Sequence, residues 1–175
     1  SLSQVLSLST SHALKSFFKE PRPNLVYLSE QALPDDAQLT PQTFYQLAKP
    51  ERSQAIAEAL TELQTRTSAV KLSPKIHQHW EDEIGYSFPS GHTIFAVTLV
   101  LTASYYLLLA GLPLFTSALL VWGLLMGLSR MLLGMHWPQD VLFSTLLAAI
   151  ISSLSIFLVS KMRLFTQRFA KTSSQ

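Results

Sequence analysis

Three apolar runs of about twenty residues each fill most of the second half of the chain. They cover residues 93–111, 114–135 and 141–160, and Arg130 and Asp140 are the only formally charged residues between positions 93 and 160. A helix of that length is about 30 Å long, which matches the hydrocarbon thickness of a bilayer. The alternative, a soluble helical core, would need a large polar shell around three nearly adjacent runs. The sequence therefore predicts an all-α, polytopic membrane helix bundle with three transmembrane helices.

The N-terminal residues, Ser1 to Phe18, carry an apolar stripe at helical spacing, which predicts one more helix. The chain begins with serine rather than methionine and enters this helix at once. We therefore expect the C-terminal part of a longer membrane protein, with further N-terminal spans missing from this chain. The sequence contains no cysteine, which excludes disulfides and cysteine-based metal sites in it.

Residues 24–88 have the polar composition of a soluble insert. Thr40 and Pro41 fit a helix start, with threonine as the N-cap and proline at the first helical position. Apolar residues at helical spacing predict a second helix over residues 56–67, and a third is predicted over residues 74–83. We interpret the insert as a small helical cap outside the membrane.

The distribution of charge predicts the orientation of the spans. Lys161, Arg163, Arg168 and Lys171 follow the last run without an acidic residue, whereas acidic residues outnumber basic ones over residues 15–90. The positive-inside rule then places the C-terminus in the cytoplasm. The cap, and the chain segments that connect to it, are expected on the outer face.

Three short motifs fall on that same predicted face. The start of a helix offers unpaired backbone N–H groups to an anion, and an arginine offers a planar fork of donors that suits phosphate oxygens. The motifs together supply cations, histidines and one carboxylate, a set that suits binding and cleaving a phosphate ester. In chain order they are Lys15 with Arg22-Pro23; Pro89-Ser90-Gly91-His92; and Ser129-Arg130 followed by His136 and Asp140.

The third motif has the spacing of a nucleophile and its orienting group. Asp140 follows His136 by four residues, with Pro138 between them at a predicted helix start, so the carboxylate can accept a hydrogen bond from one imidazole nitrogen. The other nitrogen is then basic and available for attack. Taken singly, the motif residues also have ordinary explanations, because a serine before a helix is often only a cap and Arg22-Pro23 is often a solvated turn.

In combination and in this order, the motifs resemble the three-part signature of the type 2 phosphatidic acid phosphatase superfamily. Within it, the chain is similar to the bacterial inner-membrane phosphatidylglycerophosphatase group, which also dephosphorylates undecaprenyl pyrophosphate. The resemblance extends from about Lys15 to the last span. It implies a six-span bundle and a lipid phosphatase that hydrolyses phosphatidylglycerophosphate, undecaprenyl pyrophosphate or phosphatidate through a phosphohistidine. It also implies the bacterial inner membrane as the location and the periplasmic face for the active site.

The resemblance further implies a role for each motif residue and no cofactor. His136 attacks phosphorus, Asp140 orients it, and His92 protonates the leaving oxygen. A two-metal phosphatase would need several carboxylates, and we interpret residues 81–83, the nearest acidic group, as a solvated loop. The phosphoryl oxygens are expected to be held, without a metal and as charge develops, by Lys15, Arg22, Ser90, Gly91 and Arg130.

Two alternatives stay open from the sequence. Vanadate-dependent haloperoxidases share the same motifs, because vanadate mimics phosphate, but those enzymes are soluble. A catalytically silent membrane protein that binds lipid head groups would keep an anion site, but here every reactive position is filled. The expected partners are the membrane and a phospholipid or polyprenyl pyrophosphate, with no nucleic acid, and the preferred lipid depends on the shape of a groove that the motifs do not specify.

Overall fold

The computed structural model describes residues 2–31, 39–66 and 72–172, and the regular structure in these ranges is helical. Ser1 and Thr67, which the sequence analysis assigned to helices, lie outside them. The helices are α1 (Leu2–Phe18), α2 (Pro23–Gln31), α3 (Pro41–Phe44), α4 (Lys49–Arg66), α5 (Pro74–Asp82), α6 (Gly91–Leu109), α7 (Pro113–Leu132) and α8 (Pro138–Thr172).

Three of these helices form a bundle that is long and apolar enough to cross a membrane. They are α6, α7 and the Pro138–Met162 part of α8, which coincide with the three predicted spans, with ends a few residues from those of the apolar runs. α6 packs against both α7 and α8, and α1 packs against α6 and α8. The all-α bundle expected from the sequence is therefore present in the described part of the chain.

Glycines bring α7 close to both of its neighbours. A Cβ atom at Gly123 would lie 2.9 Å from Val100 Cγ2 on α6, and one at Gly127 would lie 3.3 Å from Val141 Cγ1 on α8. Lipid tails are as apolar as leucine, so helix association in a bilayer depends on such close packing of small residues. The two glycines therefore set the spacing of the three spans.

The cap consists of α2, α3, α4 and α5. Thr40 caps α3 as predicted, because its hydroxyl accepts from the Thr43 N–H at 3.3 Å while the Thr43 hydroxyl accepts from the Thr40 N–H at 3.2 Å. α4 begins at Lys49, earlier than the apolar spacing indicated, with the Glu51 carboxylate accepting from the Ala48 N–H at 2.8 Å. Helix α2 was not predicted from the sequence; it starts at Pro23, the last residue of the first motif.

The hydrophobic core of the cap includes one residue from the bundle. Met135, in the loop between α7 and α8, is fully buried in it. The same loop accepts hydrogen bonds from the cap: the Trp80 indole donates to Leu133 O and the Asn24 N–H donates to Gly134 O, both at 2.9 Å. The cap is thus packed onto the loop that carries His136. The buried members of this core are Leu25, Leu28, Phe44, Ile56, Leu60, Leu63, Trp80 and Met135.

We predict that Gly123→Val lowers the stability of the bundle, whereas Ala118→Val does not. The new side chain at position 123 meets Val100, and overpacking of this kind costs about 1–3 kcal/mol. Ala118 lies on the same helix but is exposed, so it is the matched control. The measurement is the midpoint of thermal unfolding in detergent, followed by tryptophan fluorescence. Equal midpoints for the two variants would show that the α6–α7 contact tolerates the added volume.

Candidate active site

The three motifs meet at the end of the bundle where the cap is docked. Each motif residue lies at or next to a helix terminus: the first motif spans the end of α1 and the start of α2, the second begins α6, and the third connects α7 to α8. Local sequence explains these breaks. Pro23 and Pro138 start helices, and Gly134 ends the turn after α7 with a φ of 67°, in the left-handed region that glycine favours.

Asp140 is fully buried in the first turn of α8, and its Oδ2 atom is shared by several groups. It accepts from the Trp137 N–H at 2.9 Å, so the carboxylate caps its own helix, and it also accepts from the Ser87 hydroxyl. His136 Nδ1 lies 3.6 Å from the same oxygen. The predicted His136–Asp140 pairing is therefore present at a distance slightly longer than a hydrogen bond, and attack by the other ring nitrogen, Nε2, stays a prediction.

His136 is itself buried, and its surroundings favour the neutral ring. Burial lowers the pKa of His136 below its ordinary value of 6.5. The Asp140 carboxylate acts in the opposite direction, while Arg22 and Lys15 lower the pKa further. A histidine must be unprotonated to attack phosphorus, so this environment suits a nucleophile.

Arg22 is almost completely buried, and protein groups occupy its guanidinium. Nε donates to Gly85 O at 2.8 Å, Nη1 lies 3.5 Å from Met135 O, and Nη2 forms an ion pair with Glu83 at 2.8 Å. Burial lowers the pKa of Arg22, and the Glu83 carboxylate counteracts this. The interpretation of residues 81–83 as a solvated loop was therefore wrong for Glu83, because a buried cation needs a nearby counter-charge.

The other phosphate-binding candidates are placed as follows. Lys15 Nζ donates to Tyr86 O at 3.0 Å. Ser90 is fully buried as the N-cap of α6, and its hydroxyl oxygen accepts from the Thr93 N–H at 3.3 Å. A Cβ atom at Gly91 would lie 3.4 Å from Ser11 Oγ, so this glycine allows α1 to approach α6. The structure shows Ser90 as a helix cap. The binding of phosphoryl oxygens by Lys15, Ser90 and Gly91 stays a prediction.

His92 and Arg130 form the more accessible side of the site. His92 is exposed in the first turn of α6, and Arg130 and Glu83 both act on it electrostatically. Arg130 lies in the last turn of α7, where Nε is 3.5 Å from Ser129 Oγ, and it forms no ion pair within the described ranges. Residues 2–31, 39–66 and 72–172 contain no cluster of three or more His, Asp or Glu side chains able to hold a metal.

Sequence reasoning missed the residues that hold the motif side chains in place. Glu83, Ser87 and Ser144 contact a motif residue directly, but none of them belongs to one of the three motifs. Ser144 lies one helical turn after Asp140, a spacing that places both on one face of α8, and this was the one available signal.

The fold and the site together define a helical membrane protein with a histidine–carboxylate pair beside several cations. The sequence profile of the PAP2 superfamily matches residues 1–163, and this chain belongs to that superfamily. Phosphatidylglycerophosphatase B of Haemophilus influenzae is 38% identical over 172 residues, which is 95% of this chain and 67% of that protein.

This chain matches a smaller share of two further relatives. Phosphatidylglycerophosphatase B of Escherichia coli is 33% identical over 149 residues, which is 85% of this chain and 54% of that protein. An undecaprenyl-diphosphatase of Sulfolobus acidocaldarius is 37% identical over 75 residues, 41% of this chain and 32% of that protein. The chain thus spans about half the length of the Escherichia coli relative.

We predict that Glu83→Gln lowers the stability of the protein in a pH-dependent way. Burial raises the pKa of Glu83, but Arg22, His92 and Lys15 outweigh this and hold the pKa below its ordinary value of 4.5. A carboxyl group with a lowered pKa contributes stability above its unfolded pKa and loses that contribution as the pH falls through the folded pKa. The difference from wild type should therefore be largest near neutral pH, at about 1–3 kcal/mol for a charged hydrogen bond.

The measurement is the thermal unfolding midpoint in detergent between pH 7 and pH 3. Glu81→Gln is the matched control, because Glu81 lies in the same acidic group and has no ion pair within the described ranges. The gap between wild type and Glu83→Gln should close as the pH falls below 4.5. A gap of constant size across this range would show that the Arg22–Glu83 ion pair does not stabilise the fold.

Proposed function

We propose that this protein is a membrane lipid phosphatase that hydrolyses phosphomonoester or pyrophosphate groups of lipids through a phosphohistidine at His136. The observation that carries the proposal is the buried His136–Asp140 pair at the cap end of three membrane-capable helices. Lys15 and Arg22 supply positive charge near this pair, and Arg130 supplies it near His92. The relatives named as lipid phosphatases and the superfamily match support the same reaction class.

The chemistry follows from the two histidines. Nε2 of His136 attacks phosphorus, the phosphorus–oxygen bond to the lipid breaks, and His92 gives a proton to the departing oxygen. Water then attacks the phosphohistidine, His92 takes its proton, and inorganic phosphate leaves with His136 restored. Nearby cations and the first-turn N–H groups of α6 stabilise the negative charge on the phosphoryl oxygens.

A cavity between the spans supports a lipid as the substrate. It has a volume of about 410 Å³ and lies between α6, α7 and α8. Its lining is apolar apart from Thr93, which directly follows His92, and Thr145 on α8. A hydrocarbon chain in this cavity would lie below a phosphate held beside the two histidines. The apolar lining residues are Val97, Val100, Leu101, Leu120, Gly123, Leu124, Gly127, Leu128, Met131, Val141 and Ala149.

The test of function is phosphate release by the purified protein in lipid nanodiscs, measured in a buffer that contains EDTA. The substrates are phosphatidylglycerophosphate, undecaprenyl pyrophosphate and phosphatidate, and His136→Ala is the negative control. We expect release from at least one of them by the wild-type protein and none by the control. Release that requires added magnesium, or that persists in His136→Ala, would contradict the proposal.

The separate roles of the histidines are tested with two leaving groups. His92→Ala should slow hydrolysis of a lipid phosphate about 10²–10⁴-fold, because a lipid alkoxide needs a proton in order to leave. With a nitrophenyl phosphate, whose leaving group needs little protonation, the same variant should form the intermediate and accumulate an acid-labile phosphohistidine. Equal slowing of both substrates without a trapped intermediate would show that the roles are assigned wrongly.

We place the cap and the site on the outer face of the bacterial inner membrane, because of the basic residues that follow the last span. The chain contributes no thiol of its own, so Glu58→Cys and Ser173→Cys each introduce one. Glu58 is exposed on α4 of the cap, and in intact spheroplasts its replacement should react with an impermeant maleimide. Ser173→Cys should react only after permeabilisation. The reverse pattern would invert the proposed orientation.

A further inference from the structure

The segment from Ser87 to Ser90 connects the cap to α6, and it is buried although it contains polar groups. Both serines are fully buried. A buried polar group without a partner is costly, so the partners of these two serines indicate what holds the segment in place. Because His92 follows two residues later, the position of this segment determines the position of His92.

Ser87 fixes the carboxylate that faces the nucleophile. Its N–H donates to Glu20 O at 2.8 Å, and its hydroxyl donates to Asp140 Oδ2, the oxygen that lies 3.6 Å from His136 Nδ1. Asp140 Oδ1 has no hydrogen-bond partner within the described ranges. The direction of the carboxylate is therefore set at Oδ2, by Ser87 on one side and the Trp137 N–H on the other.

Ser144 holds the other end of the same segment. It is fully buried on α8, one helical turn after Asp140, and its hydroxyl oxygen accepts from the Ser90 N–H at 2.9 Å. Ser90 in turn caps α6 through the Thr93 N–H. Ser144 thereby fixes the start of the helix that carries His92.

We propose that Ser87 and Ser144 are positioning residues that together hold the segment 87–90 on one face of α8. They thereby set the position of the nucleophile relative to that of the proton donor, His92. Ser87 acts through Asp140 on the nucleophile, and Ser144 acts through the start of α6 on His92. The proposal rests on the proposed phosphatase function for its kinetic consequences, but the two hydrogen bonds that carry it do not depend on that function.

The two serines should have different kinetic effects. Ser87→Ala disturbs the nucleophile, so it should lower kcat about 10–100-fold for lipid and nitrophenyl phosphates alike, with KM within about twofold of wild type. Ser144→Ala disturbs proton donation by His92, so it should slow lipid phosphate hydrolysis by a similar factor. It should leave the pre-steady-state release of nitrophenol nearly unchanged, because that leaving group needs little protonation.

Ser152→Ala is the matched control. Ser152 is also a buried serine of α8 that faces α6, since its hydroxyl lies 3.5 Å from Thr98 O, but it is two turns deeper in the bundle. This variant should hydrolyse both substrates at wild-type rates. Ser87→Thr and Ser144→Thr keep the hydroxyl and should recover most of the lost activity. If Ser87→Ala does not fold, Ser87→Cys keeps the shape of the side chain with a somewhat larger atom, replaces the hydroxyl with a weak donor, and should show the same loss.

A second readout does not depend on turnover. In the protein labelled with ¹⁵N-histidine, Ser87→Ala should shift the ring resonances of His136, Ser144→Ala should shift those of His92, and Ser152→Ala should shift neither. The resonances are assigned by substituting the five histidines one at a time. Unchanged resonances and wild-type kinetics in both alanine variants would overturn the proposal. If the two alanine variants show these shifts but the wild-type protein releases no phosphate, the phosphatase function alone is contradicted.

Discussion

The buried guanidinium of Arg22 is the interaction on which the arrangement of the site depends. A cation removed from water must have partners, and two segments that are distant in sequence supply them: Glu83 and the Gly85 carbonyl directly after α5, and the Met135 carbonyl in the loop before α8. Loss of Glu83 would leave the charge of this buried guanidinium without a counter-charge. The contacts of this one side chain therefore hold the cap, the segment leading to α6 and the loop that carries His136 against one another.

Asp140 caps its own helix and, in the proposed function, also orients His136. As the third residue of α8 it accepts from the backbone N–H that precedes the helix, as acidic residues in capping boxes do. The same oxygen faces His136 and accepts from Ser87. The start of α8 and the position of His136, the proposed nucleophile, therefore depend on the same carboxylate oxygen.

Much of this architecture could be predicted from local sequence. The three spans follow from length and apolarity, the cap of α3 follows from Thr40-Pro41, and the spacing of His136 and Asp140 indicated their pairing. What could not be predicted depends on contacts between distant segments. Nothing in the residues around Glu83 or Ser87 distinguishes them from solvated loop residues, because their partners lie 61 and 53 positions away. α2 was missed for a similar reason, since its apolar residues pack on the rest of the cap core.

Met135 belongs to the hydrophobic core of the cap and directly precedes His136. The cap is therefore not a separable module set on a membrane enzyme, although it is inserted between helices and looks like one in the sequence. Exchanging caps between members of the superfamily would transplant most of this core and leave behind Met135, the buried member that the loop before α8 contributes. A chimera that keeps this core complete takes the loop of residues 133–137 together with the cap. The junctions of such a chimera then lie within the candidate active site, because that loop carries His136.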